Sequence, residues 1–199
     1  MKKPIEINLS AIARIDPAPL KQALELYRKS SSDLTGARAR LEALNVEIRD
    51  YLEAADPDDA AAVQLISGKK TQAEILPGLI RKVERNLETE IVPALRREAS
   101  ALQGALKKFY GEALDSVADQ LATLVFRPYF SDRVEPNGVR VDRARAIALQ
   151  SDDCGRIAQR RDEAAWVKID DQPRSNNPAH FDKRLCEAAE SLLALARES

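Results

Sequence analysis

The chain has 199 residues, with 31 Lys and Arg against 32 Asp and Glu, so no global field draws it toward nucleic acid, an anionic membrane or an acidic substrate. Aromatic residues make up 5% and glycines number 7, while Ala, Leu, Glu and Arg recur throughout, which favours helices or coiled coil over a sheet-rich domain. Two cysteines are too few for a disulfide framework, and with the single histidine they fit no zinc pattern.

In chain order, residues 1–16 begin with basic and then polar positions and lack the apolar core of a secretory signal. Ile5, Ile7 and Leu9 alternate, as in a short strand or an extended arm. Asp16-Pro17 then opens a helix. An aspartate accepts hydrogen bonds from free amides there, and a proline at the first helical position has no N–H to waste.

From that point the spacing alternates between three and four residues through Leu20, Ala23, Tyr27, Ser30, Leu34, Ala37, Leu41, Leu44, Ile48, Tyr51 and Ala55, a heptad seam broken only by Ser30. Arg38, Arg40, Glu42, Glu47, Arg49 and Asp50 occupy the other faces. Asp56-Pro57-Asp58-Asp59 repeats the start signal and turns the chain into a second helix, with its own stripe of Ile66, Ala73, Leu76, Ile80, Val83 and Leu87. A short connection between long helices returns the chain antiparallel to itself, so residues 17–93 form a coiled-coil hairpin on the order of 54 Å long at about 1.5 Å per residue.

A turn centred at residues 56–57 pairs positions across the hairpin. Pro93 then lies level with Leu20 at the base, and Pro77 faces Gly36 at an expected mid-arm bend, because a proline inside a helix removes one hydrogen bond and crowds the preceding turn. Leu87 to Leu95 is eight residues, so the heptad phase slips at Pro93 and the helix beyond must pack on something other than the first arm. Its stripe resumes as Leu95, Ala99, Leu102, Leu106, Phe109 and Ala113 and runs on loosely to Leu124.

Residues 94–199 form a smaller helical base region. Arg127-Pro128 is expected to end its first helix and open a loop at 127–141, where Asn137-Gly138 between valines signals a small β-hairpin. Residues 142–164 read as helix, 166–169 as a short strand and 171–177 as a loop. The last helix, 178–198, starts at Asn177-Pro178 and shows Phe181, Leu185, Ala189, Leu192 and Ala196 on one face. The expected fold class is mainly α, a long antiparallel helical hairpin with a smaller helical region and no more than one short β-hairpin.

No complete catalytic, metal, cofactor or nucleotide motif is present. Ser67-Gly68-Lys69-Lys70-Thr71 lacks the earlier glycine and the preceding strand of a phosphate loop. His180 has no nucleophile and orienting acid at a usable spacing, and the carboxylates beside Cys154 oppose thiolate formation. The acidic pairs at 58–59, 152–153 and 170–171 read as helix caps. Residues 127–161 hold eight arginines and five acids. Nucleic-acid contact through Arg127, Arg133, Arg140, Arg143, Arg156, Arg160 and Arg161 is the alternative to surface ion pairing, and the small local excess favours ion pairing.

Apolar residues outside the seam, Ala43, Val46, Leu52, Ile75, Leu79 and Ile91, point to self-association or partner docking along the arm. No run nears the roughly 18 apolar residues of a membrane span, so the expected setting is soluble and reduced.

The arm at 34–51, the acidic Asp-Pro turn at 56–59 and the Leu76-Pro77-Gly78-Leu79-Ile80 break together resemble the helical coiled-coil-hairpin proteins encoded by bacteriophages and prophages. More distantly, the chain is similar to the polarity-suppression proteins of satellite phages, whose helical-hairpin dimers decorate capsids and antagonise the Rho terminator. The resemblance is architectural and carries no functional position across. It implies a non-enzymatic protein without a cofactor, a homo-oligomer with the dimer favoured, that binds a host or phage protein in the cytoplasm of the bacterial host or on the virion. The alternatives are a virion structural or capsid-decorating, Rho-antagonist-like factor and, from the arginines at 127–161, a nucleic-acid-binding accessory factor.

Overall fold

The computed structural model describes residues 14–54, 56, 59–130, 145–169 and 178–197. Among these the fold is mainly α. Helix α1 spans Ala18–Ala54, α2 Ala60–Asn86 and α3 Val92–Phe130, with a π-helical turn at Leu87–Ile91 between the last two. A short turn of helix at 145–148 is α4; α5 is Asp152–Trp166 and α6 is Pro178–Arg197. Neither the N-terminal alternation nor the expected β-hairpin and loop around 127–141 can be placed beyond Phe130, because residues 1–13 and 131–144 lie outside the described residues, as does 170–177.

The chain divides into two compact units. One comprises residues 21–96, the other residues 97–199 together with the segment up to Leu20.

In the first unit α1 and α2 form an antiparallel hairpin. Glu47 on α1 meets Lys69 on α2, and nearer the base Arg38 meets Glu84, 2.5 Å away. As the α1 number falls, the α2 number rises. Both contacts run past the level pairing expected from the turn. The physical reason is side-chain direction: each side chain leans toward the N-terminus of its own helix, so partners across an antiparallel pair meet from Cα atoms set further apart along the axis.

The second helix is capped by Asp59, whose carboxylate accepts from the N–H groups of Ala61 and Ala62. Asp59 belongs to the 58–59 pair that reads as a cap, and the Asp56 carbonyl accepts from the Asp59 amide, closing the turn that delivers Asp59 to the helix end. Asp16 does at α1 what the sequence led us to expect, accepting from the Ala18 amide at 2.9 Å.

Helix α2 runs through Pro77 without interruption. At the level of the expected mid-arm bend both helices are continuous, through Gly36 and through Pro77, and a methyl group added at Gly36 or Gly78 would meet nothing within 4 Å. The hydrogen-bond pattern changes before Pro93. There the Val92 amide reaches back five residues to the Leu87 carbonyl. Proline has no N–H to donate to the carbonyl four residues back and its ring crowds that carbonyl, so a wider turn just ahead of it relieves both problems. The same turn takes up the phase slip. Leu87, Ile91, Leu95 and Ala99 are all buried, four residues apart, a spacing that would drift round a regular α-helix.

In the second unit α3 buries Leu102, Leu106, Phe109, Tyr110, Ala113, Val117 and Ala118. The C-terminal segments cover this face. Val117 and Ala118 cluster with Cys154 of α5, with Leu114, Leu121 and Ile157 around them, and Ala122 packs with Ala148 of α4. Two polar side chains of α3 bind the helix ends. The Gln103 amide donates to the carbonyls of Ala164 and Val167 at 2.9 and 2.7 Å, satisfying the open C-terminus of α5, and the Tyr110 hydroxyl donates to the Leu195 carbonyl at 3.2 Å. On the surface, Arg145 bridges Asp115 and Asp119.

Three local expectations are corrected. Helix α3 continues past Arg127-Pro128 to Phe130. The 142–164 segment is two helices, because a turn at 149–151 presents Ser151 as a new cap for α5, accepting from the Cys154 amide. No strand forms at 166–169: Trp166 ends α5, and the residues after it have no regular structure.

Candidate protein-interaction surface

The heptad spacing of α1 is where its burial lies. Leu20, Tyr27 and Leu44 are buried; Leu34, Leu41 and Ile48 are half-buried. Leu24, one position off the seam, is also buried, since a hairpin partner covers a stripe wider than a two-position line. Tyr51 departs from the seam, with 40% of its surface exposed near the turn. On α2, Ile66, Ile80 and Leu87 are buried, and Leu76 and Val83 half-buried.

One seam position is charged. Counting from Ile66 by three and four reaches Lys69 before Ala73, and the Lys69 ammonium donates to the Glu47 carboxylate and sits 5.4 Å from the centre of the Tyr51 ring. The hydrogen bond to Glu47 raises the lysine above its ordinary value of 10.5, burial opposes this, and the charge of Glu47 adds to the rise. Lysine can serve here because its four-carbon stem lies in the apolar stripe while its head reaches an acid on the rim. An apolar-pattern reading passes over Lys69; the unbroken spacing on either side was the signal.

Outside the seam the hairpin keeps large apolar side chains in water. Val46, Leu52, Val63, Leu65, Ile75 and Leu79 are all exposed, the last two by 57% and 53%. Of the off-seam residues expected to be available, Ile91 is not: the π turn rotates it into the buried row. A shallow groove on one flank of α1 is lined by Arg38, Leu41, Glu42, Asn45, Val46 and Arg49.

The phosphate-loop fragment lies wholly within α2, where the Thr71 hydroxyl donates to the Ser67 carbonyl at 3.0 Å, a bond internal to a helix. Among the described residues, no group of three or more His, Cys, Asp and Glu side chains is gathered so as to hold a metal ion. His180 lies in the first turn of α6. Cys154 is buried and Cys186 half-buried.

Of the candidate arginines, only those of α5 have side-chain surroundings among the described residues. Arg127 falls on α3 and Arg133, Arg140 and Arg143 lie outside the described residues. On α5, Arg160 pairs with Glu163 and Arg161 with Asp162, while Arg156 is exposed. No described helix is long and apolar enough to cross a membrane. No protein-family description, curated protein or solved structure matches this chain.

Proposed function

We propose that this protein acts by binding and not by catalysis: it self-associates and engages another protein through the helical hairpin or the C-terminal helices. One observation carries the reading. The hairpin already has a filled internal seam, yet Leu65, Ile75 and Leu79 remain exposed on α2, and apolar surface left in water beyond what the fold uses is the mark of a docking face. A bacteriophage or prophage setting, in the host cytoplasm or on the virion, rests on the resemblance of the arm and its acidic turn.

Light scattering across micromolar concentrations tests the self-association, with a mass above that of one 22.0 kDa chain expected. A strict monomer removes that part of the proposal. Affinity capture from bacterial lysate with the intact chain tests the second part, with a stoichiometric partner expected, released when exposed hairpin or C-terminal side chains are replaced by aspartate. Capture that is indifferent to all such replacements would overturn it.

A further inference from the structure

We draw no further inference here: the strongest candidate, the exposed apolar row of Leu65, Ile75 and Leu79 on α2, is an unpartnered helix face, and nothing in the structure shows what covers it.

Discussion

Lys69 is held in place by two side chains of α1, the carboxylate of Glu47 and the ring of Tyr51. Because the hydrogen bond to Glu47 holds its folded value above the ordinary 10.5, the charged lysine stabilises the hairpin fully below that pH. The contribution is lost as pH rises through the folded value. Lys69→Met keeps the apolar stem and removes the charge. The expected outcome is that the melting temperature of the parent falls more steeply than that of Lys69→Met above about pH 10.5, the two curves running parallel from pH 6 to about 9. Curves that stay parallel throughout would mean that the ion pair does not contribute. Gln103 and Tyr110 work on the same scale in the second unit, where each donates to carbonyls at a helix end. Neither could be assigned that role from the sequence, because the carbonyls they meet lie more than sixty residues away.

At the scale of the element, the informative piece is the π turn at Leu87–Ile91. The eight-residue step from Leu87 to Leu95 announces an irregularity in the sequence. The sequence does not say whether the stripe changes face or the backbone adjusts. The structure adjusts the backbone, and Ile91 becomes a core residue as a result. It follows that one residue in this turn is surplus to an α-helical path. Deleting exposed Thr89 should convert the turn to regular helix with Leu95 and Ala99 still inward, leaving the unfolding free energy within about 2 kcal/mol of the parent in urea titration. Deleting exposed Asn45 in α1 is the contrast. It rotates the rest of the seam by about 100° and should abolish cooperative unfolding of the hairpin. Equal tolerance of both deletions would sink this account. The caps teach a related point: Asp16 was legible as a cap, whereas in the 56–59 turn three aspartates compete for the role and only the closed turn chooses Asp59.

For the whole molecule, near-neutral charge supplies no global field toward nucleic acid, and three arginines among the described residues sit in ion pairs. Arg145 is committed to Asp115 and Asp119, and Arg160 and Arg161 to neighbouring acids. Exposed pairs of this kind contribute little stability, about 0–1 kcal/mol each, but they cancel the local field that a phosphate backbone would need. A gel-shift titration with duplex DNA at low salt is expected to show no retarded band at micromolar protein. Tight, salt-sensitive binding would restore the arginine-rich region as a functional surface.

The sequence by itself determined the helical class, the antiparallel hairpin and the faces that meet inside it. Those features depend on local periodicity and on turn and cap chemistry, which are written within a few residues of where they act. Only the tertiary structure decided that the phase slip is absorbed by a π turn, that Lys69 fills a seam position with Glu47 and Tyr51, and that α4, α5 and α6 cover the face of α3. Each of these depends on which distant groups arrive at a helix surface. It also decided which apolar residues stay in water: a side chain off the main seam is free only if no distant element covers it, and that separates Ile75 and Leu79, which are exposed, from Ile91, which is not.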